Sequence, residues 1–148
     1  MSLSKIKIRS VEENDIPILY DMLKEFREIP YACIHERPLP PYDDSKKYVS
    51  KFLYDNDNHE LDKWYVVIDS ENKVLGSVNL SKKNYISYQI LIPFQGNGFG
   101  KKSVELLIEQ NPRDRYFIAV HNNNEISQNL SKTLGFTLKA LILEKSQD

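Results

Sequence analysis

The segment Gln95-Gly96-Asn97-Gly98-Phe99-Gly100 lies between an apolar, strand-like run, Tyr85 to Ile92, and a helix-like run, Lys101 to Glu109. Three of the chain's five glycines fall within these six positions. Glycine lets the backbone reach positive φ and pass close to a ligand, and the first N–H groups of a helix have no partner inside it. Because those groups also lie at the positive end of the helix dipole, the segment predicts an anion-binding turn suited to a pyrophosphate.

Two common glycine-rich motifs do not fit this spacing. A Walker loop ending on Gly100 and Lys101 needs Gly at position 95 and Ser or Thr at position 102, where the chain has Gln95 and Lys102. A dinucleotide fingerprint that starts at Gly96 needs its third glycine at the position of Lys101. The pattern that remains is Q/R-x-x-G-x-G/A.

This pattern resembles the cofactor-binding motif of the GNAT superfamily of acyl-CoA-dependent N-acyltransferases. Gln95, Gly98 and Gly100 occupy its three defined positions. A second block, Asn124 to Ser127 followed by Leu134-Gly135-Phe136, resembles the N-x-x-S…L-G-F block of the branch that contains ribosomal-protein and amino-sugar acetyltransferases. The two blocks stand in the family's order.

The resemblance covers roughly residues 5 to 144 and implies acetyl-CoA as cosubstrate. In the family, the strand before the glycine-rich turn and the strand after its helix splay apart, and the pantetheine arm bonds to the backbone in that gap. The turn's N–H groups hold the pyrophosphate, and Lys101 or Lys102 adds charge. The cofactor-binding residues that the resemblance implies are Leu91, Ile92, Gln95, Gly96, Asn97, Gly98, Phe99, Gly100, Lys101, Asn124 and Ser127.

The reaction that the resemblance implies is direct attack of an amine on the thioester within a ternary complex. A backbone N–H near Leu91 would meet the oxyanion, and the departing thiolate needs a proton. Many relatives supply that proton from a Tyr four residues before the Gly of the G-F pair, a position that Ser131 occupies here. Ser127 and Tyr88 are therefore our candidate donors; the alternative for Tyr88 is cross-strand packing.

The general base is less well defined. Relatives often carry a Glu on a middle strand, but the segment from Val74 to Ile92 has no carboxylate. Glu36 and His35, in a proline-rich loop, are the nearest candidates, and a water chain is an alternative. His59 and His121 are far apart and lack metal-ligand spacing, so we predict no metal site.

Composition restricts the class of protein. At 148 residues the chain suits one domain, residues 1–148. A net charge of -1 gives no reason to expect nucleic acid as a partner. The single cysteine, Cys33, suits a reducing cytoplasm, and no apolar run approaches the ~18 residues of a membrane span, so we expect no membrane partner.

Apolar periodicity gives alternating strands and helices. The strands are predicted at Lys5 to Ser10, Trp64 to Ile68, Val74 to Leu80, Tyr85 to Ile92, Tyr116 to Val120 and Thr137 to Glu144. The helices are predicted from Asn14 or Asp15 to Arg27, Asp44 to Tyr54, Lys101 to Glu109, and from an Asn124 cap through Leu134. The resemblance implies an α/β fold with a mixed, mostly antiparallel central sheet of about six strands flanked by about four helices.

The resemblance implies an N-acetyltransferase that acts on a primary amine, and the composition suits a cytoplasmic protein. We expect a small polar amine or amino sugar, because Tyr31, Tyr42, Tyr85 and Tyr88 offer an aromatic pocket. A protein N-terminus or a polyamine-like amine is the alternative acceptor, and a CoA-binding module without transfer is the alternative function. Family members usually add one further strand, so a second subunit is a candidate cover for the bare sheet edge, giving a homodimer.

Overall fold

The structure, a computed structural model, describes residues 2–28 and 42–147. Alternating strands and helices form there, as the apolar periodicity predicts. The elements are β1 (Lys7–Ser10), α1 (Ile16–Glu28), α2 (Tyr42–Tyr54), β2 (Leu61–Ile68), β3 (Val74–Ser81), β4 (Ile86–Ile90), α3 (Phe99–Gln110) and α4 (Glu125–Thr133). The four predicted helices are confirmed, and α2 begins two residues before its predicted start.

The four strands form an antiparallel sheet in the order β1-β2-β3-β4. The turn between β2 and β3 is held by Asp69, whose Oδ1 accepts the N–H groups of Glu71 at 2.8 Å and Lys73 at 2.9 Å. Asn72 in the same turn has a φ of 68°, a conformation that Asn tolerates better than most residues. The strands predicted at Trp64 to Ile68 and Val74 to Leu80 therefore form a hairpin.

Both faces of the sheet are covered. Neighbouring residues on β2, Val66 and Val67, face opposite sides and are each 0% exposed. On the Val66 side the core contains residues of α1 and α2, namely Ile16, Leu19, Met22 and Val49. On the Val67 side it contains Phe99, Val104 and Leu107 of α3. The sheet is therefore a middle layer, consistent with the predicted α/β class.

Strand β4 ends earlier than the sequence predicts. The Leu91 N–H still donates to the Leu75 carbonyl at 2.9 Å, but residues Ile92–Phe94 turn into a short 3₁₀ helix. Pro93, which has no N–H to give to a sheet, lies in this turn. The chain thus leaves the sheet immediately before the glycine-rich segment.

The strand predicted at Tyr116 to Val120 is reduced to one parallel bridge in the described chain, between Tyr85 and Phe117. The Ile86 N–H donates to the Phe117 carbonyl at 2.7 Å, and the Phe117 N–H donates to the Asn84 carbonyl at 2.9 Å. The pairing stops there, so the segment after Phe117 diverges from β4. No further backbone hydrogen bond joins the two segments toward the glycine-rich turn in the described chain.

The strand predicted at Thr137 to Glu144 is wrong for the single chain, since the structure assigns no strand there. Its large apolar side chains are exposed: Leu138 by 83%, Leu141 by 74%, Ile142 by 72% and Leu143 by 89%. Apolar composition favours a strand, but a strand also needs an edge to pair with. In an extended backbone these side chains would occupy both faces, as in a strand buried on two sides.

Candidate functional site

The glycine-rich turn leads directly into α3. Gly96 and Gly98 have φ values of 80° and 81°, which L side chains rarely adopt. The first bond of the helix runs from the Lys102 N–H to the Gly98 carbonyl at 3.1 Å, so the N–H groups of Phe99, Gly100 and Lys101 have no partner inside the helix. No side-chain bond caps the Gly98 end in the described structure. This geometry suits an oxyanion ligand such as a phosphate.

Gly100 is required for a different reason. A Cβ built there would lie 3.1 Å from Cε2 of Tyr88 and 3.3 Å from Cδ1 of Leu130. The missing side chain therefore lets the Tyr88 ring pack across the start of α3. Sequence reasoning treated the three glycines as one phosphate-binding feature, whereas two are needed for backbone conformation and one for space.

The polar side chains of the turn fasten it to the end of β4. Gln95 donates from Nε2 to the Ile90 carbonyl at 2.9 Å, and Asn97 donates from Nδ2 to the Phe94 carbonyl at 3.0 Å. Both bonds shape the turn, which accounts for the polar residues there without a ligand. Lys73, whose Nζ lies 4.8 Å from the centre of the Phe94 ring, adds a cation to this region that local sequence gives no means of anticipating.

The second sequence block forms both ends of α4. At its start, Asn124 Oδ1 accepts the Ser127 N–H at 3.1 Å, which confirms the predicted cap. At its end, Gly135 has a φ of 91°, and the Phe136 N–H donates to the Ser131 carbonyl at 3.0 Å. This is a Schellman ending, in which a left-handed residue stops the helix.

Tyr88 and Ser127 meet at the site. The Tyr88 hydroxyl lies 2.7 Å from Ser127 Oγ, so a residue of β4 reaches the first turn of α4. Burial raises the pKa of the Tyr88 phenol, and the smaller effect of the Ser127 hydrogen bond lowers it. The phenol is therefore protonated at neutral pH and can donate a hydrogen bond.

The hydroxyl of Ser131 has a local role. It donates to the Ser127 carbonyl at 2.8 Å, one turn earlier in α4, and the residue is only 8% exposed. Position 131 therefore offers no accessible proton donor, and Ser127 and Tyr88 stay the predicted candidates.

The two backbone N–H groups at the end of β4 both have partners. The Leu91 N–H is bonded to Leu75 within the sheet, so it is not available as an oxyanion donor. The next N–H, that of Ile92, donates instead to the carboxylate of Glu25 at 2.6 Å. Glu25 lies 67 positions away in sequence, and sequence reasoning did not identify it.

Some residues predicted for the site are outside the described ranges. Glu36, His35, Cys33 and Tyr31 fall outside the described residues, as does the side chain of Tyr42. Tyr85 is 46% exposed and packs on Phe117 with ring centres 5.2 Å apart. Whether these tyrosines line one pocket stays a prediction.

The buried imidazole of His59 contacts backbone groups through both ring nitrogens. Its Nδ1 accepts the Leu61 N–H at 3.0 Å, its Nε2 lies 3.2 Å from the Tyr48 carbonyl, and burial lowers its pKa. The imidazole is therefore neutral and fixed in the core. Within residues 2–28 and 42–147, no group of three or more His, Cys, Asp or Glu side chains could hold a metal ion.

Comparison with known proteins gives one family. Residues 5–137 match the family model described as an acetyltransferase (GNAT) domain. No curated protein sequence matches the chain. No helix in the described segments is both long and apolar enough to cross a membrane.

Several solved structures have a similar fold. The spermidine N-acetyltransferase of Vibrio cholerae, in complex with CoA and spermine, has a TM-score of 0.81 and 19% identity, covering 96% of this chain and 86% of that one. The ribosomal L7/L12 alpha-N-protein acetyltransferase RimL, in complex with coenzyme A, has a TM-score of 0.71 and 18% identity over 93% and 82%. The phosphinothricin acetyltransferase of Sinorhizobium meliloti, in complex with AcCoA, has a TM-score of 0.74 and 17% identity over 92% and 77%.

Proposed function

We propose that this chain, which belongs to the GNAT acetyltransferase family, transfers the acetyl group of acetyl-CoA to a small polar primary amine. The observation that carries the proposal is the arrangement at the end of β4. There, the helix N–H groups after Gly98 lie next to Tyr88, whose ring packs at Gly100 and whose hydroxyl is hydrogen-bonded to Ser127. One end of this arrangement suits a pyrophosphate, and the other suits a thioester.

The cofactor would be held mainly by backbone. The N–H groups of Phe99, Gly100 and Lys101 would bind the pyrophosphate, and the Lys101, Lys102 and Lys73 ammonium groups would add positive charge. Leu91 and Ile92 follow β4 where the pantetheine arm would bind. The solved relatives with CoA or AcCoA support this choice of cofactor.

The thioester carbonyl would take the Ile92 N–H, since the Leu91 N–H is held by the sheet. The neutral amine would form the new C–N bond at the carbonyl carbon and release its extra proton to solvent or to Glu36. Collapse of the tetrahedral intermediate would break the C–S bond. A hydrogen-bond donor placed at the developing oxyanion is usually the largest electrostatic contribution to transition-state stabilisation in acyl-transfer sites.

The departing sulfur would be met by Tyr88. The phenol would donate a hydrogen bond to the thiolate and pass on its proton, and water would restore the phenol. Because a thiol has a pKa of about 8.5 and burial raises the pKa of Tyr88 above that of an ordinary phenol, proton transfer from the phenol to the thiolate is uphill, and we expect a contribution at the low end for acid catalysis. Ser127 would orient the phenol and contact the sulfur.

The runner-up function is a CoA-binding module without transfer. The observation in its favour is Ser131, which stands where many relatives carry the acid and whose hydroxyl is bonded into α4. A panel containing a polyamine, an amino sugar and a peptide with a free N-terminus, assayed by release of free CoA thiol, separates the two functions. Thiol release with an amine supports transfer, and acetyl-CoA binding without release on any amine supports the module.

The assembly that we propose is a homodimer in the cytoplasm. A second copy of this chain would cover the exposed Leu138, Leu141, Ile142 and Leu143 by pairing the same extended segment about a two-fold axis. Exposed apolar groups on both faces of that segment support such a cover. The Vibrio cholerae spermidine N-acetyltransferase has also been solved as a dodecamer, so this fold is compatible with self-association.

A further inference from the structure

The carboxylate of Glu25 occupies a backbone donor at the centre of the proposed site. Glu25 lies in the last turn of α1, and its Oε1 accepts the Ile92 N–H at 2.6 Å. Sheet pairing has ended at this point, and Ile92 is 53% exposed. The Ile92 N–H is therefore directed at a place that an oxygen atom can reach from solvent.

Glu25 is held in this position by the packing of its helix. One turn earlier, the Met22 carbonyl accepts a hydrogen bond from the side-chain amide of Gln89 on β4. Met22 itself is 1% exposed within the core. Two hydrogen bonds thus tie the second half of α1 to the end of β4, which sets where the Glu25 carboxylate can reach.

Among the described residues, no cation forms an ion pair with the Glu25 carboxylate. The ion pairs in the described part of the chain join Arg9 to Glu12 and Asp15, and Arg113 to Asp62, and none includes Glu25. A carboxylate bonded to a single backbone N–H retains most of its capacity to accept hydrogen bonds. The group that suits it best is a charged donor such as an ammonium.

The thioester and Glu25 compete for the same N–H group. If the thioester carbonyl takes the Ile92 N–H, the Glu25 carboxylate must move away, and it stays within one side chain's reach of the reacting carbon. An ammonium is then needed to pair with it. The ammonium of the amine would therefore replace the hydrogen bond that Glu25 loses when the thioester carbonyl takes the Ile92 N–H.

We propose that Glu25 binds the ammonium of the acceptor and positions it beside the thioester, which makes the acceptor an aliphatic amine that is cationic in solution. This inference rests on the proposed function. In this role Glu25 binds the amine that accepts the acetyl group and does not act as its general base. The amine reacts after it loses a proton to solvent, and the carboxylate raises its local concentration and fixes its direction.

The variant Glu25→Gln tests this role because the Gln side chain can still accept the Ile92 N–H while it lacks the charge. With an alkylamine that is cationic at the assay pH, we expect kcat/KM to fall about 10- to 100-fold, the value of a charge-assisted hydrogen bond. With an aromatic amine that is neutral at the same pH, kcat/KM should stay within about 2-fold. Acetyl-CoA affinity, measured by calorimetry, should not fall, because the neutral Gln oxygen competes less strongly than a carboxylate with the thioester carbonyl for the Ile92 N–H.

The matched control is Asp57→Asn, which removes one exposed carboxylate from the short 3₁₀ turn before β2, at the opposite end of that strand from the Ile68–Asp69 turn. It should leave both amines unaffected. An equal loss for both amines with Glu25→Gln would show a merely structural contact and overturn the inference. Unchanged kcat/KM values for both amines would overturn it too.

A second measurement covers the case in which acetyl-CoA binds but no amine turns over. The same alkylamine is titrated into the CoA complex of the wild type and of Glu25→Gln, and a loss of affinity in the variant supports the inference while equal affinity refutes it. Failure of the wild type to bind acetyl-CoA at all would refute the proposed function and the inference resting on it; a normal cofactor affinity with equal amine binding in both proteins refutes only the role of Glu25.

Discussion

The phenolic oxygen of Tyr88 lies 2.7 Å from Oγ of Ser127, so a strand and a helix whose residues are 39 positions apart share a hydrogen bond at the candidate site. The Tyr88 ring reaches this place across Gly100, where a Cβ would stand 3.1 Å from it. The glycine-rich turn therefore has two tasks. It presents backbone N–H groups to an anion, and it makes room for the group that would meet the sulfur.

Replacing Tyr88 by Phe tests the phenol directly. The ring and its packing on Gly100 remain, while the proton donor is lost, so kcat should fall by about 100-fold, the low end for acid catalysis. Acetyl-CoA affinity should change little. The control is Tyr54→Phe, which removes from an exposed ring the hydroxyl that donates to Glu13 at 3.0 Å. Equal kcat values for Tyr88→Phe and the wild type would exclude the phenol as donor.

The two serines of α4 should behave differently. Ser127→Ala removes the hydroxyl that orients Tyr88, and kcat should fall roughly 2- to 10-fold, the worth of one ordinary hydrogen bond. Ser131→Ala removes a hydroxyl that only bonds back to the Ser127 carbonyl, so kcat should be unaffected. Steady-state kinetics at saturating acetyl-CoA measures both. A larger loss from Ser131→Ala than from Ser127→Ala would reverse the assignment.

Helix α1, which carries Glu25, is anchored at its other end by an ion pair. Arg9 donates to both carboxylate oxygens of Asp15 at 2.8 Å and 2.9 Å, and Asp15 also accepts the Glu12 N–H at 2.7 Å. Burial alone would raise the pKa of Asp15, but these hydrogen bonds outweigh it, and the net shift is downward. The stabilisation is therefore complete above the unfolded pKa of about 3.9 and is lost as pH falls through the lower folded value.

Asp15→Asn should consequently lower the free energy of unfolding by about 1.5–3 kcal/mol at neutral pH, the range for hydrogen bonds to a charged group. The difference from the wild type should hold down to about pH 5 and shrink below about pH 4. Urea unfolding across this pH range measures it. A difference that grows on acidification would contradict the sign of the pKa shift.

The exposed leucines near the C-terminus predict a concentration-dependent dimer. Leu141→Glu places a charge within the proposed interface and should shift the protein to monomer, as measured by light scattering after size exclusion. The control is Ile126→Glu, which replaces an apolar residue that is 82% exposed on α4, and it should leave the assembly unchanged. A wild-type protein that is monomeric at every concentration would refute the dimer.

Local signals predicted much of the fold and part of the site. The positive φ of Gly98, the Asn124 cap and the Gly135 ending of α4 each follow from the needs of a few neighbouring residues. The prediction of a strand at residues 137–144 was wrong, because an apolar pattern does not show which sheet edge the segment would pair with.

The contact between Glu25 and Ile92 spans 67 positions and depends on how α1 crosses β4. The position of Lys73 beside Phe94 likewise follows from the hairpin and the sheet register. No periodicity or short motif encodes either relationship. The sequence therefore predicts the part of the site formed by one turn and its helix, and the acceptor side requires the tertiary structure.

The most direct test of the account is a calorimetric titration of acetyl-CoA into the wild type, Gly98→Glu and Gly135→Glu, beside 3′-dephospho-CoA and ATP as competing ligands. Both variants place Glu at a glycine of positive φ, 81° and 91°, so they share a backbone strain of roughly 1–2 kcal/mol. The account predicts micromolar, acetyl-CoA-selective binding by the wild type and Gly135→Glu, and loss of binding in Gly98→Glu. Absence of binding in the wild type, or equal affinity in all three proteins, would contradict the assignment of the glycine-rich turn as the pyrophosphate site.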